Sequence, residues 1–167
     1  MTSSYPVNEQ PVRWTNARDA MPLLAELSGL EIMQGIRDDH LPPPPFAGMM
    51  GFNCVVAEKG RIEMTLDHAS YNENAAGQLN GGAIATLLDT AMGAAVHTLL
   101  PPGALNVTIE LHVNYLRPVL PGAYPVTAKA DVLNTNKRTA YVVAELRGPD
   151  DALLAHATAN FAIRTPA

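Results

Sequence analysis

An α+β domain, with a long antiparallel sheet wrapped around one central apolar helix, is the fold class this sequence predicts. Three observations lead there. Several runs place apolar residues at every second position, the spacing of half-buried strands. One stretch, Asn80 to about Leu99, is apolar almost all round, so as a helix it has no solvent face and must be enclosed. The order is a hairpin, that helix, then four more strands, which an antiparallel sheet holding one helix satisfies best.

Along the chain, residues 1–16 are polar, carry Pro6 and Pro11, and read as a flexible arm. Residues 17–45 read as a helical segment and connector. Leu23, Leu27, Leu30 and Ile36 have helical spacing, while Gly29 and Gly35 weaken the helix and leave room for a break. Pro42 to Pro45 is expected to be an extended polyproline-type connector. The main domain is then residues 46–167. Phe52, Cys54 and Val56 alternate with their neighbours, as do Ile62, Met64 and Leu66 across the Lys59-Gly60 turn, giving the hairpin. Tyr71 to Leu79 is an Asn- and Gly-rich loop. After the helix, Val107, Ile109, Leu111, Val113 and Tyr115 alternate strictly with Asn106, Thr108, Glu110, His112 and Asn114. Strands at Val126–Leu133, Thr139–Arg147 and Leu153–Ile163 complete an expected four-strand meander.

Composition narrows the function. The 167 residues fit one domain, and 47% hydrophobic against 16% charged residues excludes disorder over most of the length. A net charge of -5 argues against nucleic-acid binding, which needs a basic face. The start has no basic region leading into an apolar run, so no signal peptide is expected. The apolar helix is interrupted by Asp89 and followed by Pro101-Pro102, so it reads as buried in protein rather than in a membrane. The single Cys54 allows no internal disulfide, as a reducing cytoplasm suggests, and reads as a small buried hydrophobe before a nucleophile. His40, His68, His97, His112 and His156 have no metal-ligand spacing, and no Gly-x-Ser-x-Gly is present. No metal and no serine-hydrolase chemistry is expected.

The segment Asn74 to Thr90 carries the chemistry. Asn80 followed by Gly81 and Gly82 opens a helix with free backbone N–H groups and no Cβ in the way. Such N–H groups suit a carbonyl oxygen that becomes negative during acyl transfer. Asp89 is the only charged residue between Asn80 and Leu100, and a carboxylate in an enclosed helix needs a partner or a task. Eight residues of helix separate Gly81 from Asp89, roughly 12 Å at 1.5 Å per residue. Both can act on one carbonyl only if they come from different subunits, which predicts a site shared across a homodimer.

Asn74-x-x-Gly77, Asn80-Gly81-Gly82 and Leu87-Leu88-Asp89-Thr90 resemble the signature of hot-dog thioesterases of the phenylacetyl-CoA (PaaI) type, in the 4-hydroxybenzoyl-CoA thioesterase superfamily. Val107 to Leu111 and Val113 to Pro118 resemble the next blocks of that family, so the likeness runs from about Gly51 to Arg164. The resemblance implies a hot-dog fold, a homodimer or dimer of dimers, and hydrolysis of an acyl-CoA thioester. It requires no cofactor, since CoA is part of the substrate. It further implies Asp89 as nucleophile or general base and Gly81 as oxyanion donor. Asn74 and Thr90 would stand around the carboxylate, Thr108 would hold the water, and Gly82 would lie along the substrate. Arg117, Lys137 and Arg138 are the implied partners of the CoA phosphates. The family usually has His where this chain has Asn80, which can cap and orient but cannot carry a proton.

Plainer readings stand beside these. Asp89 can be a structural carboxylate at an interface, Asn74 an Asx-turn residue, and Asn80 a simple N-cap. The Gly81-Gly82 pair can serve close packing, Thr108 a cross-strand hydrogen bond, and Arg117, Lys137 and Arg138 the solvated surface. The rival function is an acyl-CoA-binding or sensing domain without catalysis, with Asn80 marking the lost activity.

Overall fold

The computed structural model describes residues 6–12 and 14–165. Of the arm expected over residues 1–16, residues 1–5 and Arg13 lie outside the described residues, and the rest is neither helix nor strand. Four helices follow in the described chain: α1 (Ala17–Leu24), α2 (Gly29–Arg37), α3 (Pro45–Met50) and α4 (Gly81–His97). Six strands, β1 (Phe52–Glu58), β2 (Arg61–Leu66), β3 (Leu105–Tyr115), β4 (Val126–Thr135), β5 (Thr139–Arg147) and β6 (Leu153–Arg164), form one antiparallel sheet. Their order is β1-β2-β4-β5-β6-β3, and α4 packs against the sheet. This is the hot-dog architecture.

Small residues bring helix and sheet together. Ala128, Ala130, Ala144, Ala155, Ala157 and Ala159 are all buried, leaving depth for Leu87, Leu88, Met92 and Val96 of α4. Large helix side chains thus lie over small strand side chains, the interdigitation that a close-packed core requires. Ile62, Met64 and Leu66 are buried as their alternation predicts. Among the described residues no helix is long and apolar enough to cross a membrane.

Four expectations need correction. The last four strands are not a simple meander: β4, β5 and β6 follow one another, but β3 lies at the far edge beside β6, while β4 pairs with β2. The chain crosses between the two positions through residues 116–125, under the N-terminus of α4, where the Leu79 N–H donates to the Val119 carbonyl at 3.1 Å. Bulges break the period-two pattern in four strands, β1, β3, β4 and β6, and the first two change which residues are buried. One between Cys54 and Val56 buries Ala57 in place of Val56, and one between Thr108 and Glu110 inverts the facing of β3.

The N-terminal segment also differs in detail. The helix does break, at residues 25–28, because Ser28 starts a new one: its side chain accepts from the Glu31 N–H, and Glu31 accepts from the Ser28 N–H at 2.8 Å. Leu23 is exposed, however, and the buried residues of these two helices are Ala20, Gly29 and Met33. Gly29 packs on the end of α4, donating to the Leu100 carbonyl at 3.0 Å, where a Cβ would stand only 1.7 Å from the His97 oxygen. Finally, Pro45 does not extend the connector but occupies the first position of α3, where its missing N–H is no loss.

Candidate active site

The enclosed helix has one open stripe. Gly82, Thr86, Asp89, Gly93 and His97, three or four residues apart, are only partly buried or exposed, while Leu87, Leu88, Ala91, Met92 and Ala95 are fully covered. Asp89 therefore sits at the middle of the single face of α4 that the sheet leaves uncovered. The β3 bulge supplies its partner. Before the bulge Asn106 and Thr108 face the helix; after it Leu111, Val113 and Tyr115 do, paired with the buried Ala159, Ala157 and Ala155.

Three contacts tie β3 to α4. Thr108 Oγ1 donates to Asp89 Oδ1 at 2.9 Å, Asn106 Nδ2 donates to the Gly93 carbonyl at 3.0 Å, and Tyr115 Oη donates to the Gly81 carbonyl at 2.9 Å. Thr108 thus bonds the candidate carboxylate directly, rather than a neighbouring strand. Asn106 and Tyr115 were not among the sequence candidates. A strictly alternating strand hides them, because the bulge that turns both toward the helix has no marker in the residues themselves.

Asp89 and Thr90 line a cavity of about 280 Å³, with Thr108, Asn106, Cys54 and His97 and a wall of apolar residues. Burial raises the Asp89 pKa above the ordinary carboxylate range, and the Thr108 hydrogen bond partly opposes this. Burial likewise lowers His97, keeping the imidazole neutral, with its bond to Asn106 in opposition. Burial pushes the Cys54 thiol up to about 11, which makes it an inert hydrophobe and not a nucleophile. Among the described residues, Asp89 is the only carboxylate on this cavity wall.

Gly81 belongs to a different hollow. With Asn74, Gln78, Tyr115 and Arg117 it lines a depression of about 340 Å³ that shares no residue with the Asp89 cavity. Asn80 caps α4, its Oδ1 accepting from the Gly82 N–H at 2.7 Å. This takes up one N–H of the pair and leaves the Gly81 N–H without a partner among the described residues. Asn74 shapes the loop beneath, its Oδ1 accepting from Ala76 at 2.8 Å and Gln78 at 3.2 Å in an Asx turn, with Gly77 at φ 70. Lys137 and Arg138 lie apart from both hollows, in the exposed β4–β5 turn that the Asn136 side chain organises. Within one chain, then, Asp89, Thr90 and Thr108 form one group, Asn74, Gly81 and Arg117 a second, and Lys137 and Arg138 a third. Among the described residues no three His, Cys, Asp or Glu side chains are grouped to hold a metal ion.

A family model described as the thioesterase superfamily (4HBT) matches residues 76–155, which include α4 with Gly81 and Asp89, and β3 with Thr108. The conserved protein PA5202 of Pseudomonas aeruginosa is 31% identical, with a TM-score of 0.68 over 73% of this chain and 95% of its own. The chain belongs to the thioesterase superfamily. A further superfamily-like structure is a Ralstonia eutropha protein, provisionally named a thioesterase and related to phenylacetic acid degradation. It is 26% identical, with a TM-score of 0.71 over 78% of this chain and 98% of its own. A Halobacterium salinarum protein provisionally named an esterase is 37% identical over 52% of this chain. The match spans only 58% of that curated relative's length.

Proposed function

We propose that this thioesterase-superfamily protein hydrolyses acyl-CoA thioesters at a site built by two copies of the chain. The observation that carries the reading is Asp89, a carboxylate with raised pKa, held by Thr108 at the wall of a cavity that has no other carboxylate among the described residues. The thioester carbonyl oxygen accepts from the Gly81 N–H of the second copy, at the positive end of α4. Asp89 takes the proton of a water that attacks the carbonyl carbon, or attacks that carbon itself and is freed by water afterwards. Either way the C–S bond breaks, CoA leaves as a thiolate that is then protonated, and the acid is released.

The second copy is argued from β3. This strand forms one edge of the sheet, and Leu105, Val107 and Ile109 on it are 61%, 53% and 61% exposed. A long, apolar, unpaired edge calls for a partner. Antiparallel pairing of β3 with its own copy, centred near Glu110, sets Tyr115 of one chain beside the Leu105–Thr108 end of the other. Tyr115 is bonded to Gly81 and Thr108 to Asp89. That pairing therefore brings the Gly81 of one copy toward the Asp89 of the other, in line with the roughly 12 Å that separates them along one helix. Arg117, beside Gly81, then stands on the outer side of the thioester, where the CoA phosphates lie. Lys137 and Arg138 are the outlying candidates for the nucleotide end. The reaction uses no cofactor, and a cytoplasmic location fits the lone Cys54.

One observation favours the rival reading of an acyl-CoA-binding domain: the Asn80 side-chain oxygen is taken up as a helix cap. Release of free CoA from a panel of acyl-CoAs by the wild-type and Asp89→Asn proteins decides between the two. Turnover that the substitution abolishes is the expected result. Tight acyl-CoA binding without turnover in the wild type is the result that would install the binding domain instead.

A further inference from the structure

The Asp89 cavity has a neighbour outside the hot-dog core. A second cavity, of about 480 Å³, lies between α1, α2, the proline connector and the segment after α4. It meets the first at Met33, Ile36, Pro43, Pro44 and His97, which line both. Among the described residues that line it, every side chain apart from those of Thr15 and His97 is apolar and none carries a full charge. Such a lining rejects the phosphates and ribose of CoA and suits hydrocarbon.

The two cavities follow one line along α4. Asp89, Gly93 and His97 succeed one another at four-residue spacing on the open stripe, so the first cavity runs about 12 Å beside the helix. His97, held neutral by burial, stands where it passes into the second. Of the shared residues, Met33 has the most adaptable side chain and is the one best able to swing aside. The walls of the second cavity are firmly set. The Ser28–Glu31 capping box fixes the start of α2, and Gly29 seats it against the end of α4 at a distance no side chain would permit.

We infer that the N-terminal segment completes an acyl tunnel, and that the substrates of this protein are thioesters of long, unbranched acyl chains, rather than aryl or short ones. This rests on the thioesterase reading of Asp89. With the thioester carbonyl at Asp89, an extended chain advancing about 1.3 Å per carbon passes His97 after about ten carbons, given bonds of about 1.5 Å. Longer chains then enter the second cavity, and a phenylacetyl group fills only the first.

The test measures hydrolysis of hexanoyl-, decanoyl-, tetradecanoyl- and phenylacetyl-CoA by the full-length protein. In parallel it measures the melting temperature of wild-type and Asp89→Asn protein with free hexanoate or tetradecanoate. Specificity (kcat/KM) is expected to climb up to about fourfold per added methylene and to keep climbing beyond decanoyl-CoA. Tetradecanoate is expected to raise the melting temperature of both proteins more than hexanoate does. Ala20→Phe and Leu24→Trp, which project bulk into the second cavity alone, should each lower the tetradecanoyl-to-hexanoyl ratio at least tenfold. Circular dichroism confirms that each variant is folded; if neither folds, the wild-type chain-length profile and the fatty-acid melting shifts decide. An optimum at hexanoyl- or phenylacetyl-CoA, with no preferential shift by tetradecanoate, overturns the tunnel while leaving the thioesterase intact. No hydrolysis of any thioester, with a tetradecanoate shift that Ala20→Phe removes, upholds the tunnel and rejects the thioesterase.

Discussion

The start of α4 and the middle of its open stripe differ in every property that matters for acyl transfer. At Gly81 the helix presents an unpartnered N–H, a positive dipole end and Arg117 nearby, in a shallow hollow. At Asp89 it presents a half-buried carboxylate in an apolar cavity, with one hydroxyl donor. The first environment favours negative charge on a ligand, and the second makes its own negative charge reactive by withholding water. Under the proposed shared site neither half does chemistry alone, and the difference gives a reason for the two polar interruptions in so long and enclosed a helix: each would serve the complementary half in a second copy.

The largest expected effect breaks the Asp89 half. Asp89→Asn keeps the shape and the Thr108 contact but removes the base, and should lower kcat roughly 10²- to 10⁴-fold. The same substitution should raise the melting temperature at neutral pH. The sign follows from burial, which lifts the folded-state pKa above that of the unfolded chain. Above the folded pKa the buried charge destabilises the fold, and the penalty disappears as pH falls below the unfolded value, so a neutral Asn escapes it. A melting series across that acidic window checks both the sign and the pH dependence.

Gly81→Pro breaks the other half and should cost about 10²- to 10³-fold in kcat, by deleting one oxyanion donor. Proline fits there structurally. Position 81 is the first of the helix, Asn80 is already extended at ψ 136, and a Cβ would meet only ordinary contacts at the Tyr115 ring, 3.5 Å away. An unchanged melting temperature with lost turnover would sharpen the assignment, whereas retained turnover would remove Gly81 from it.

Smaller effects refine the comparison. In wild type, kcat/KM should rise with pH through the raised Asp89 pKa, because the base works when ionised. Thr108→Val removes the bond that opposes burial, so this limb of the pH–rate profile should move to higher pH, with turnover at neutral pH lowered about tenfold or less. Arg117→Gln should raise KM for CoA thioesters a few-fold and leave kcat nearly unchanged, consistent with an exposed charge contact.

Much of this was legible in the residues. The enclosed helix, its cap at Asn80, the lone carboxylate at Asp89 and the burial of Ile62, Met64 and Leu66 all follow from local pattern. What the pattern misses is set by tertiary structure. The bulges at Cys54/Val56 and Thr108/Glu110 insert one residue without any Gly or Pro to announce it, so the inward-facing Asn106 and Tyr115 stayed hidden. The exposed Leu23 and buried Ala20 show that helical spacing alone does not fix which side of α1 is covered. The position of β3 at the far edge depends on a crossing that strand periodicity does not encode. The second cavity exists only because α1, α2 and the prolines meet across distant parts of the chain.

The central claim, one site from two chains, is tested most directly by mixing. Asp89→Asn and Gly81→Pro proteins, each inactive alone, are unfolded together, refolded at equal amounts and assayed for thioester hydrolysis. Random pairing makes half the dimers mixed, and each mixed dimer has one site with both groups intact, so about one quarter of wild-type activity should return. A mixture that refolds to dimers and remains as inactive as its components would contradict a shared site and place Gly81 and Asp89 in separate roles.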